Sequence, residues 1–281
     1  VIPEHLAQEP SQTALTAAAA RAAHPLVDAE PHIFVDTLAG RILGDRAEEL
    51  LAYHHAHGDH PILAEARGQV IVRSRFTESR LAEAVERGVR QYVLLGAGLD
   101  SFAYRNPLDV TVFEADHPAT QQWKRRQLEK AGIAIPERVS FVGVDFETDS
   151  PLERLTENGF DPEIPSFFCW LGVVPYLSRE SVRRTLAQLP PGAELVADYM
   201  LPQQLRDEAG NAYATAVSAV AAEHGEPWLS YFEPDEMSLL LKESGFAHVE
   251  HFNQRDAIAP ALWQRQDALA PRRLSQLVHA R

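Results

Sequence analysis

The stretch Val93-Leu94-Leu95-Gly96-Ala97-Gly98-Leu99-Asp100-Ser101 joins an apolar run to a Gly-x-Gly turn and then to an acid. A strand ending in Gly-x-Gly turns sharply and lets its backbone approach a ligand closely. A dinucleotide-binding loop would carry a third glycine at position 101, where the pyrophosphate and the following helix crowd the chain. Here Ser101 stands there, preceded by Asp100. An acid is unfavourable beside two phosphates and favourable beside an ammonium group. Glu114 follows Gly96 by eighteen positions, where a strand-end acid can accept hydrogen bonds from both ribose hydroxyls. A solvated strand-end carboxylate is the plainer alternative. Asp145 closes a third apolar run and can face an adenine amino group, or simply cap a helix. Taken together, the three strand ends predict a site for an adenosine that carries a positive charge.

The elements that must position these residues are legible in the pattern. Apolar runs predict strands over 91–95, 110–114, 139–144, 166–173, 194–199 and 248–252. Pro118 opens a helix running to about residue 130, and Ser150-Pro151-Leu152-Glu153 has capping-box spacing with proline at the first helical position. Ser178 caps a further helix, and Thr77 caps one that Gly88 ends. An alanine-rich helix over 13–23 is expected to stop before Pro25, and 31–68 reads as short helices and loops. Strands alternating with helices in this way predict an α/β fold, doubly wound around a mostly parallel sheet. Ligands bind such sheets at the carboxyl ends of the strands.

Composition narrows the partners. The 281 residues suffice for a full core, and the formal net charge of -14 disfavours phosphate backbones and anionic lipid. One cysteine, Cys169, excludes an internal disulfide and a cysteine zinc cage. Glu4 and Glu9 stand where an export signal would carry positive charge, so a cytoplasmic protein is expected. The apolar run over 164–178 contains Pro165 and Pro175 and reads as a buried strand with its flanks, so no membrane span is expected. His54, His55, His57 and His60 beside Asp59 match no metal-ligand spacing and read as a polar turn, so no metal is expected.

Several motifs occur together. Arg73-Ser74-Arg75-Phe76, Gly88-Val89-Arg90-Gln91, the glycine turn with Tyr104-Arg105, and Glu114-Ala115-Asp116-His117-Pro118 with Lys124 are followed by Val144-Asp145-Phe146 and Gly172-Val173-Val174-Pro175-Tyr176-Leu177. Thr13-Ala14-Leu15, Ala20-Arg21-Ala22 and Pro227-Trp228 fit the same pattern. From Thr13 to Phe252 the chain resembles the leucine carboxyl methyltransferase-like family, closest to its bacterial small-molecule branch. The resemblance implies a class I methyltransferase with a Rossmann-like, seven-stranded sheet. It also implies S-adenosylmethionine as cofactor and a small-molecule acceptor methylated at a carboxylate or hydroxyl oxygen.

It further implies a division into an N-terminal helical cover over 1–75, a cofactor-binding core over 76–200, a helical lid over 201–231 and a returning core segment over 232–281. By motif position, Arg73 pairs with the methionine carboxylate, while Gly96, Ala97 and Gly98 pass beneath the methionine moiety. Glu114 with Ala115 holds the ribose, and Asp145 with Phe146 lines the adenine. The family carries glutamate immediately before Gly-Val, and this chain has Leu171. That exchange removes a charge-assisted hydrogen bond to the cofactor's ammonium group worth roughly 1.5–3 kcal/mol, for which Asp100 is the nearest substitute. Glu78 stands where aspartate is more frequent.

A sulfonium methyl is already activated, so alignment is the main catalytic task. A carboxylate acceptor needs no base, whereas a hydroxyl calls for one. No residue announces itself as that base; His117 and His224 read as capping or packing groups. Tyr176, Tyr199, Trp228 and Tyr231 are the expected acceptor-pocket walls, each with ordinary core packing as its alternative. Two other functions remain open: a nicotinamide-dependent oxidoreductase, which Ser101 and Asp100 oppose, and a catalytically silent cofactor-binding protein, which Leu171 favours.

Overall fold

The computed structural model describes residues 11–281; Glu4 and Glu9 lie outside the described residues. The described residues open with α1 (Gln12–Val27), capped by Ser11, whose Oγ accepts from the Ala14 N–H at 2.9 Å. Its small side chains let it sink deeply, so Leu15, Ala18, Ala19 and Ala22 pack with Ile42, Leu43, Leu99 and Trp123. The helix does not stop before Pro25 but carries it in its last turn. Two further helices, α2 (Ala39–Ile42) and α3 (Ala47–His57), lead into α4 (Pro61–Glu86). This long helix runs unbroken through residue 75, where the sequence suggested a boundary. Its buried face is unusually polar: Arg67 reaches Asp28 with two hydrogen bonds of 2.8 Å, and His24 Nδ1 meets the same carboxylate at 2.9 Å. Because His24 Nε2 accepts from the Ile33 N–H, its Nδ1 must be the donor. The clamp pins α1 to α4. His54, buried against it, is pushed down to about 4 by burial and by Arg67.

The core then alternates β1 (Gln91–Leu95), α5 (Phe102–Arg105), β2 (Thr111–Asp116), α6 (Pro118–Lys130), β3 (Val139–Gly143), α7 (Pro151–Glu157), β4 (Ser166–Trp170), α8 (Arg179–Ala187) and β5 (Glu194–Met200). It closes with α9 (Glu208–Glu223), α10 (Pro234–Glu243), β6 (Val249–Phe252) and β7 (Ser275–Ala280). The sheet order is β3-β2-β1-β4-β5-β7-β6, with β7 antiparallel to both neighbours and the β1-to-β5 pairings parallel. Alternation along the strands buries both faces. Val93, Leu95 and Phe113 meet Leu155, Leu186 and Leu241 on one side, and Tyr92, Leu94 and Val112 meet Phe76, Leu81 and Phe102 on the other. The order reverses between β1 and β4, which opens a crevice beyond their carboxyl ends. Among the described residues no helix is long and apolar enough to cross a membrane.

Candidate active site

Gly96 holds φ at +73°, and a Cβ there would drive into the Val173 side chain. The turn is fixed from both sides. The N–H groups of Gly96 and Ala97 donate to the Ala115 carbonyl at 2.8 and 3.1 Å, which tucks the loop against β2. The Gly98 N–H donates to Asp116 Oδ2 at 2.5 Å. Ser101 explains why no third glycine stands at its position: its hydroxyl donates to Asp36 Oδ1 at 2.7 Å. Asp36 in turn receives Arg21 Nε at 3.0 Å, and Arg21 holds the Leu99 carbonyl at 2.7 Å. Helix α1 therefore clamps the far side of the glycine turn.

A cleft of about 480 Å³ opens above this turn. Seven of the residues expected to bind a cofactor, Gly96, Ala97, Gly98, Asp100, Phe146, Leu171 and Arg73, line it. Arg73 reaches in from α4, donating to Asp198 Oδ2 at 2.9 Å, while Asp198 Oδ1 accepts from the Gly172 N–H at 2.6 Å. Gly172 holds φ at +69°, a conformation that favours glycine, and a Cβ there would stand 2.7 Å from the Arg73 guanidinium and force it to shift. Buried Cys169 also borders the cleft, its thiol pushed up by burial.

The remaining expected residues stand elsewhere. Glu114 is 1% exposed and borders no part of the cleft; it accepts from Lys124 Nζ at 2.7 Å and from the Tyr104 hydroxyl at 2.9 Å. Its carboxylate is consumed by a buried ion pair. The acid that lines the cleft is Asp116, because β2 runs two residues further than the sequence suggested. Burial raises its carboxyl, opposed by the Gly98 and His117 N–H groups. Ala115 contributes its carbonyl and is fully buried. Asp145 is exposed and accepts from the Glu147 N–H at 3.0 Å, a turn-forming role that keeps it outside the cleft lining. His117 caps α6, as read.

A second cavity, of about 420 Å³, lies between α1, α4 and α9. Its walls are mainly apolar: Ile62, Val70, Met200, Val217, Val220 and Trp228 among them. Of the four expected aromatic wall residues, Tyr176 and Trp228 line it. Tyr199 is 1% exposed in the core and hydrogen-bonds His251 Nδ1 at 2.9 Å. Tyr231 packs on Trp228 from behind and stacks under Arg206. The two cavities share a wall built from Thr13, Ala17, Arg73, Gly172, Tyr176 and Glu226. Burial pushes the Tyr176 phenol up, against the opposing pull of Thr13 and Trp228. Glu226 went unread in the sequence. Its Oε2 accepts from the Thr13 N–H at 3.1 Å and the Thr13 hydroxyl at 2.5 Å, which joins α1 to the segment after α9.

Comparison with known proteins accords with this architecture. The sequence profile of the leucine carboxyl methyltransferase family matches residues 14–190. A Bacillus subtilis (strain 168) protein named "Putative S-adenosyl-L-methionine-dependent methyltransferase YktD" is 33% identical over 217 residues, covering 75% of this chain and 71% of its own. A Mycobacteroides abscessus protein named "Putative S-adenosyl-L-methionine-dependent methyltransferase" is 38% identical over 168 residues, covering 59% of this chain and 55% of its own length. The crystal structure of a Thermobifida fusca protein titled a "putative methyltransferase" aligns over 100% of this chain and 98% of its own, with a TM-score of 0.60 at 18% identity. That likeness concerns the fold alone. The chain belongs to the leucine carboxyl methyltransferase family of S-adenosylmethionine-dependent methyltransferases.

Proposed function

We propose that the protein methylates an oxygen, carboxylate or hydroxyl, of a small molecule held in the second cavity. The observation that carries this reading is the shared wall between the glycine-floored cleft and the apolar cavity. Two substrates that must touch at one atom need two adjoining spaces with a common boundary. The cleft suits S-adenosylmethionine: a glycine cradle that side chains would fill, an acid at the end of β2, and a guanidinium at the opposite wall. Asp116 accepts the ribose hydroxyls, Phe146 packs on the adenine, and Arg73 meets the methionine carboxylate. Asp100 is the acid nearest in kind to a partner for the ammonium group. The cofactor supplies a sulfonium methyl: the acceptor oxygen's electron pair forms the new C–O bond, and the C–S pair stays on sulfur. The chain's contribution is alignment and exclusion of water, which is where most of the rate comes from in such a displacement. The acidic net charge and single buried cysteine suit a cytoplasmic enzyme acting on small molecules rather than on nucleic acid.

Radiolabelled S-adenosylmethionine with a panel of apolar phenols and carboxylic acids tests the reading. Label should pass to oxygen on at least one member, and Val217→Trp, which fills the second cavity, should abolish transfer while leaving S-adenosylhomocysteine affinity within about twofold. Full turnover by that variant would put the acceptor elsewhere. Leu171 in the cleft supports one rival, a binding protein without turnover; tight cofactor binding with no transfer to any acceptor would favour it.

A further inference from the structure

The shared wall carries more chemistry than alignment requires. Glu226 borders both cavities, and only its Oε2 is engaged, by Thr13. Among the described residues nothing donates to Oε1. Among the described residues the one cation in the wall, Arg73, already answers Asp198 at 2.9 Å. The boundary thus holds one carboxylate, Glu226, beside a guanidinium whose charge is already answered from behind the wall by Asp198, and the Glu226 Oε1 has no protein donor among the described residues. An acceptor arriving as a carboxylate would set a second negative charge against Glu226 and bring no proton to share. An acceptor arriving as a hydroxyl brings the missing donor. Behind that polar edge the cavity is apolar from α4 across to α9, with Ile62, Val70, Val217 and Val220 among its walls. Burial pushes the phenols of Tyr176 and Tyr213 up, so both remain donors and neither is a base.

We propose that the acceptor is a neutral, mainly apolar molecule with a hydroxyl at one end, and that Glu226 accepts that hydroxyl's hydrogen bond and, at transfer, its proton. The balance is complete: the O–H proton goes to the Glu226 carboxylate, and the oxygen pair forms the bond to methyl carbon. The C–S pair neutralises the sulfonium, leaving S-adenosylhomocysteine, and Glu226 then returns its proton to solvent. This rests on the reading that the cleft holds the cofactor and the second cavity the acceptor.

The test is a calorimetric titration of the full-length protein, saturated with S-adenosylhomocysteine, using 2-naphthol and 2-naphthoate as a matched pair at pH 7.5. Wild-type protein should bind the naphthol at least about tenfold more tightly, the scale of a hydrogen bond to a charged acceptor. Glu226→Gln should bring the two within about threefold. Equal or tighter binding of the naphthoate to wild type would overturn the proposal, as would an unchanged gap in the variant. So would failure of both probes while S-adenosylhomocysteine binds. The wild-type comparison decides the acceptor class even if the variant does not fold. Failure of S-adenosylhomocysteine itself to bind would instead refute the cofactor reading, and this assignment with it.

Discussion

Two acids two residues apart on β2 have opposite fates, and exchanging them separates fold from function. Asp116 lines the cleft and accepts backbone N–H groups of Gly98 at 2.5 Å and His117 at 2.6 Å. Asp116→Asn keeps the shape and an acceptor for one of these groups but removes the charge from the position proposed to meet the ribose. Hydrogen bonds to a charged group contribute about 1.5–3 kcal/mol, so S-adenosylhomocysteine should bind roughly 10- to 150-fold more weakly. Glu114→Gln does something else. It leaves the Lys124 ammonium, 1% exposed, without its counter-charge. Breaking a buried pair in this way costs about 3–5 kcal/mol of stability. Adding Lys124→Met removes the orphaned charge and should restore most of that loss. The assays are urea denaturation for stability and calorimetry for cofactor affinity. Asp116→Asn should be stable and weak-binding, whereas Glu114→Gln with Lys124→Met should be folded and bind within about threefold of wild type. A normal affinity for Asp116→Asn together with a crippled affinity in the folded double variant would refute the reasoning.

Other outcomes follow from single positions. Gly96→Ala combines a φ of +73° with a collision against Val173, so calorimetry should show S-adenosylhomocysteine binding weakened more than about tenfold, with a stability loss of about 1–3 kcal/mol. Leu171→Glu places a carboxylate in the cleft lining; it should tighten S-adenosylmethionine binding about tenfold at low salt if Leu171 stands beside the ammonium group, and unchanged affinity would remove that position from the site. Glu65 is pushed up to about 7 from 4.5 by burial, against hydrogen bonds from Gln69 and Gln254. Its folded form therefore holds the proton more tightly than the unfolded chain. Its contribution is complete below about pH 4.5 and is lost as pH climbs through 7. Glu65→Gln should flatten the fall in unfolding free energy between pH 5 and 8 by at most about 3 kcal/mol, and an identical pH dependence in urea titrations would contradict it.

The glycine turn was readable because its requirement is local: a positive φ after a strand admits little besides glycine. The choice between Glu114 and Asp116 was not, because residues two apart on a strand share a face. The signal that decides it is His117-Pro118, since a cap and a first-turn proline place the strand end at Asp116 rather than Glu114. Helix α4 was legible only from Thr77 onward; Glu65, Arg67 and Gln69 are buried in its earlier turns, so its inner face does not read as apolar. β7 escaped because Ser275, Gln276 and His279 interrupt its pattern, and two of these side chains are paired inside the fold: Ser275 with Gln69 and His279 with Glu194. Glu226 gave no sequence signal at all. Its place depends on a contact across 213 positions to Thr13, which no local pattern encodes.

A crystal structure with S-adenosylhomocysteine bound tests the central claim most directly. The ribose hydroxyls should lie within hydrogen-bond distance of Asp116, the adenine against Phe146, the amino-acid carboxylate toward Arg73, and the sulfur facing the wall formed by Tyr176 and Glu226. Adenosine seated instead among Ile62, Val70 and Val217, or ribose hydroxyls remote from Asp116, would contradict the account.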